Sequence, residues 1–147
     1  MFGDFLRRLT APAPAPLADT DARLALGALL VRVAKSDEDY DGMEMAKIEQ
    51  ILSKRYDLSS AKAADLREKC EAVEFEAPDT VRFTRAIKGA VPYEDRVGVI
   101  ESLWDVVLTD GIRDAGENAL LRLVANLLGV NDVDSAKARH RVEAARD

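Results

Sequence analysis

Two stretches of this chain repeat one another 73 positions apart, and that repeat constrains the fold more than any other feature of the sequence. Asp37, Asp41 and Glu44 recur as Asp110, Asp114 and Glu117 with the same spacings. The flanks agree as well: Arg23 matches Arg96, Leu30 matches Leu103, Ile48 matches Leu121 and Ile51 matches Val124. Each copy reads as helix, acidic turn, helix. A chain built from two such copies has to pack helices against helices, and no run of alternating polar and apolar residues offers a strand to compete with them.

Helical spacing and punctuation extend this to an all-α fold of about seven helices with an internal pseudo-twofold repeat. The predicted helices lie near 21–35, 42–55 and 61–73, then from just after Pro78-Asp79 to Gly89, then near 92–108, 115–128 and 135–145. Ser59 or Ser60 suits the N-cap of the third, Pro92 suits the first turn of the fifth, and Gly129 followed by Val130 suits a Schellman end for the sixth. Residues 10–18 read TAPAPAPLA, whose alternating prolines rule out a regular helix and favour an extended tether. The expected organisation is therefore an N-terminal segment and tether over 1–18 and one helical domain over 19–147.

The chain has 147 residues, 48% of them apolar and only 5% aromatic, so the core must be built mainly from Leu, Val, Ile and Ala. Its formal net charge of −6 argues against nucleic acid as the main partner, because backbone phosphates call for a basic surface. No apolar run reaches the roughly 18 residues of a membrane span. Asp4, Arg7 and Arg8 interrupt any signal-peptide core near the N-terminus. One cysteine, Cys70, forms no internal disulfide, and the expected location is the cytoplasm. The only histidine, His140, lies among Lys137, Arg139 and Arg141 and reads as a surface residue. There is neither a phosphate-binding glycine loop nor a His-Glu-x-x-His pattern, and the chain is expected not to be an enzyme.

The acidic turns carry the candidate chemistry. Asp41 and Glu44, like Asp114 and Glu117, are spaced as N-cap and N3, a capping box with Asp in place of Ser or Thr. Capping leaves Asp37 and Asp110 unexplained, since each follows a helix end, where an acid meets the negative pole of the dipole. An Asx-turn that fastens the short link accounts for them locally, and a shared cation is the alternative. The first copy adds Asp39 and begins like an EF-hand, with acids at positions 1, 3 and 5 and Gly42 at position 6. Its closing position, however, is Ile48, with Glu49 one place late, so any ion is held in another geometry. The candidate metal ligands are Asp37, Asp39, Asp41, Glu44, Asp110, Asp114 and Glu117. An all-oxygen set of this kind suits Ca²⁺, Mg²⁺ or Mn²⁺. Lys35 beside the first turn and Arg113 within the second offer the competing solution, ordinary ion pairing.

The stretch from Val33 through Glu44 and the stretch from Thr109 through Val130 resemble the TerB, or tellurite-resistance B-like, family, with Asp-Gly, a further Asp, and a Glu that opens the next helix. Arg96 ahead of the Trp104 helix fits the same layout. The resemblance covers roughly 20–145 and departs from the family pattern at Glu38 and Arg113. It implies a seven-helix array with a pseudo-twofold relation, of the type also found in a DnaJ-like co-chaperone. It also implies a link to tellurite resistance and stress responses, and a metal-binding cluster on Asp37, Asp41 and Glu44 and on Asp110, Asp114 and Glu117. Two functions follow as expectations. One is a helical module that binds a protein partner through an apolar groove between helices. The other is a cation- or metalloid-responsive protein whose acidic turns converge.

Overall fold

The structure is a computed structural model that describes residues 19–37, 40–77, 80–108 and 115–146; the side chains of 19–21, 37, 115–118 and 146 lie outside that description. Seven α-helices run through the described residues, and there is no strand among them: α1 Asp19–Ala34, α2 Gly42–Tyr56, α3 Ser60–Glu76, α4 Val81–Ala90, α5 Tyr93–Val107, α6 Ala115–Leu127 and α7 Asp132–Arg146. A single 3-10 turn, Lys35–Asp37, continues α1. The N-terminal segment and tether over 1–18 lie outside the described residues.

α1 is the axis of the molecule. From Ala22 to Ala34 every residue except Arg23 and Arg32 is buried, so the helix is enclosed on all sides rather than on one stripe. It packs against α2, α3, α4, α5 and α6. Its counterpart in the second copy, α5, buries Val99, Ile100, Leu103, Trp104, Val106 and Val107 and packs against α1, α2, α4, α6 and α7. The matched pairs of the repeat take matched places: Leu30 and Leu103 are fully enclosed, and Ile48 and Leu121 are buried.

The repeat is structural as well as sequential. In the first copy Gly27 meets Cys70 and Arg32 meets Glu74, so α1 and α3 run parallel. In the second copy Tyr93 meets Asp134 and Glu101 meets Arg141, so α5 and α7 run parallel too. Both middle helices end alike. Asp57 after α2 and Gly129 after α6 are left-handed, with φ of 54° and 74°. Beyond each, one amide reaches back five residues, Leu58 to the Ser53 carbonyl at 3.0 Å and Val130 to the Ala125 carbonyl at 2.9 Å. These are Schellman closures, which satisfy carbonyls the helix leaves open. The matched arginines serve the same two ends. The Arg23 guanidinium lies 4.7 Å from the Tyr56 ring centroid, and Arg96 Nη1 donates to the Leu128 carbonyl at 2.8 Å. A cation there offsets the negative pole of the helix.

The predicted elements all form, with boundary differences of up to three residues. α3 continues past Val73 to Glu76, because Arg32 Nη2 closes its end, donating to the Glu74 and Ala77 carbonyls at 2.9 Å each. α4 runs through Gly89 to Ala90. α7 starts at Asp132 rather than at Ser135: Asn131 caps it, its Oδ1 accepting from the Asp134 amide at 2.8 Å and its carbonyl from the Ser135 amide at 3.0 Å.

Candidate functional site

Of the seven predicted metal ligands, Asp41 and Glu44 have described side chains. Asp41 is the N-cap of α2, and its Oδ1 accepts from the Glu44 amide at 3.1 Å. The capping role predicted for it is therefore present. Glu44 turns inward and is only 4% exposed. Asp37 closes the 3-10 turn, with its side chain outside the described residues. Asp39, Asp110 and Asp114 lie wholly outside them, and Glu117 falls in the first turn of α6 with its side chain likewise outside. Among the described residues no three His, Cys, Asp or Glu side chains gather as a metal site.

At the level of elements, the two copies do meet. The 3-10 turn that ends in Asp37 packs against α6, the helix that opens with Glu117. Lys35, predicted as an ion-pair partner for the first turn, reaches α3; the acids at 37–39 lie outside the described side chains. Its Nζ lies 2.8 Å from Glu74 Oε1, while Arg32 Nε lies 3.1 Å from Oε2 of the same carboxylate. Burial explains this pairing, since Glu74 is enclosed and an enclosed carboxylate needs paired charge more than one facing water does. Tyr40, between Asp39 and Asp41, packs over the turn. Its hydroxyl donates to Glu71, and Lys35 Nζ sits 5.9 Å from its ring centroid. Arg67 joins Glu71 to Glu49 at 2.6 Å on each side and locks α2 to α3. Burial, then the hydrogen bond to Glu71, pushes the Tyr40 hydroxyl well above its ordinary pKa.

Cys70 is fully buried against Gly27, and burial pushes its thiol up to about 12. His140 is exposed on α7, with Nδ1 3.9 Å from Glu143. Trp104 is buried as its spacing predicted, and the Arg139 guanidinium lies 5.4 Å from its ring.

A feature absent from the sequence reading is an open trough of about 830 Å³ between α2, α5 and α7. Gly98, Glu101, Ser102 and Asp105 form its floor, spaced to fall on one face of α5. Ile51 from α2 and Val142 from α7 give it apolar patches on either wall. Lys47 Nζ pairs with Asp105 at 3.5 Å and Arg141 Nη2 with Glu101 at 2.8 Å, each tying a wall to the floor. The sequence carried half of this signal, in the polar face of α5, but the walls come from helices far from it along the chain in both directions. A second trough of about 450 Å³ lies over Trp104 between α5, α6 and α7.

Two parallel-helix halves, each built as helix, acidic turn, helix, helix, define a class of all-α duplicated modules. The chain belongs to the TerB family: the family model for tellurite resistance protein TerB matches residues 23–140, most of its length. No curated protein and no solved structure gives a match. Among the described residues no helix is long and apolar enough to cross a membrane.

Proposed function

We propose that this TerB-family chain is a non-enzymatic binding module of the cytoplasm whose partner is a protein. The observation that carries this is the trough between α2, α5 and α7, a mainly polar groove between helices with apolar patches at Ile51 and Val142, of a volume common for binding clefts. The burial of Cys70 supports the non-catalytic part, since a neutral, enclosed thiol is a poor nucleophile. Tellurite resistance, the trait in the family's name, supplies the condition under which to look for the partner. The test places a photo-crosslinking residue at Gln50 or Ser102, inside the trough, and at the exposed Glu68 of α3 as a control, in cells grown with and without tellurite. Discrete protein adducts from the trough positions and none from the control are expected. Adducts from all three positions alike, or from none, overturn the proposal.

A second function, weak binding of Ca²⁺, Mg²⁺ or Mn²⁺ at the acidic turns, is favoured by the packing of the 3-10 turn on α6. Asp41 and Glu44 would contribute from α2, and the remaining five candidates lie outside the described side chains. Calorimetric titration of metal-stripped protein is expected to show millimolar or tighter binding that Asp37→Asn weakens more than Asp110→Asn. Silence at millimolar cation leaves the turns with capping alone.

A further inference from the structure

We propose that the partner segment received by the trough between α2, α5 and α7 is an acidic peptide with an apolar side chain at its centre. This rests on the protein-binding function above and adds the chemistry of the ligand.

The chain as a whole carries a formal net charge of −6. The trough inverts that balance: Lys47, Lys54, Arg55 and Arg141 face it against Glu101 and Asp105. The two carboxylates stand on the floor and are each taken up by one cation, Asp105 by Lys47 and Glu101 by Arg141. Lys54 and Arg55 both line the trough and meet no carboxylate among the described residues, and Arg55 stands at the end beside Gly98.

That end is open because residue 98 has no side chain. A Cβ there would sit 3.6 Å from Arg55 Nη1, so any larger residue would fill the space in front of the guanidinium. Both cations also lie in the last turn of α2, where they offset the helix dipole. Such an offset can be made from any side of the helix. Here both cations line a concavity, where converging positive charge attracts an anion more strongly than on a convex face.

The size of the trough limits the occupant. Gly98 to Asp105 spans about 10 Å of helix axis, which fits three or four residues of extended chain. Ile51 and Val142 stand on opposite walls and offer an apolar seat between the charged ends. An acid at the Gly98 end and an apolar residue over Ile51 and Val142 match this order, since Lys47 and Arg141 are already paired with Asp105 and Glu101. Nucleic acid matches less well, since it extends its charge beyond the trough over a chain that is acidic overall.

The experiment is a titration of the ¹⁵N-labelled full chain with the blocked peptide Glu-Glu-Leu-Glu-Glu, followed by amide shifts. Saturable shifts at Ile51, Arg55, Gly98 and Ser102 are expected, weakening as salt rises. The Lys54→Glu/Arg55→Glu variant is expected to bind at least tenfold more weakly. Gly98→Glu, which places a carboxylate before Arg55 without removing a side chain, provides the same reading if the double variant folds poorly. Lys69→Glu, on α3, is expected to leave binding unchanged. The proposal falls if the trough amides do not respond, or if Lys-Lys-Leu-Lys-Lys shifts them equally. It falls also if oligothymidylate shifts them at lower concentration, or if they shift with protein concentration alone, which would mark a second copy as the occupant. Crosslinks from Gln50 or Ser102 together with a silent peptide titration would keep the protein partner and reject its acidic chemistry.

Discussion

At Gly27 the backbone of α1 comes so close to α3 that a side chain has no room. A Cβ there would lie 2.1 Å from Cys70 Sγ and 3.0 Å from Cys70 Cβ. Cys70 is itself enclosed and has no flexible end to move aside. Gly27→Ala gains about 1 kcal/mol of helix propensity and loses more to overpacking, so denaturant unfolding should show a net loss of about 1–3 kcal/mol. Adding Cys70→Ala should recover part of that loss, because the two residues share one contact. Cys70 also makes stability sensitive to alkali. Its folded pKa, about 12, stands above the ordinary value of 9.0, so its contribution is complete below 9 and is lost as pH rises from there toward 12. Burial raises Tyr40 and Tyr56 in the same direction and adds to the loss. Unfolding free energy should therefore fall through this window, and fall less steeply in Cys70→Ala; an identical slope in both proteins would remove the thiol from the account.

Among the features of the elements, helix ends are the most legible in the sequence where a side chain makes the cap. Asp41 and Ser59 have the spacing of caps and act as caps, accepting from the Glu44 and Lys62 amides at 3.1 and 3.2 Å. Asp41→Ala should cost about 0.5–2 kcal/mol in denaturant unfolding, while Asp41→Ser should cost little. A null result for the alanine variant would mean the cap bond is not formed in solution. The Gly129-Val130 closure is equally plain, because only a few residues accept a left-handed φ. Its equivalent at Asp57 is not, because Asp enters that region far less often than glycine. Sequence spacing puts the start of α7 at Ser135, three residues late, although Asn131 and Asp134 carry the same N-cap to N3 spacing as Asp41 and Glu44. The end of α3 is beyond sequence reasoning, since the group that closes it, Arg32, is 42 residues away from Glu74.

Over the whole molecule, α1 is enclosed on all sides and α5 buries one face, and each is the first helix of its copy. Amide exchange should be slowest along Leu29–Val33 and Ile100–Leu103 and faster in α4 and in the outer turns of α7, following burial and the number of neighbouring helices. Slowest exchange in α7 instead would show that the duplicated core is not the last part to open. The same duplication sets up the surface: antiparallel packing of α2 on α5, with Lys47 by Asp105 and Arg55 by Gly98, leaves the trough that α7 closes on its far side.

Local spacing was enough to establish the helical class, the seven elements and the membership of the chain in a duplicated design. Helices record their period, caps and stops within a few residues, so all of this can be read along the chain. The burial of Trp104 and Leu103 was legible for the same reason, through their position on the apolar face of α5. The pairing of charges was not. Lys35 meets the enclosed Glu74, 39 residues on, a pairing that no spacing near Lys35 announces. Packing of the helices likewise made Gly27 a contact with Cys70 rather than a flexible point, and turned four cations from α2 and α7 toward one groove. Charge pairs and close contacts between helices depend on distances across the fold, and no spacing along the chain encodes those.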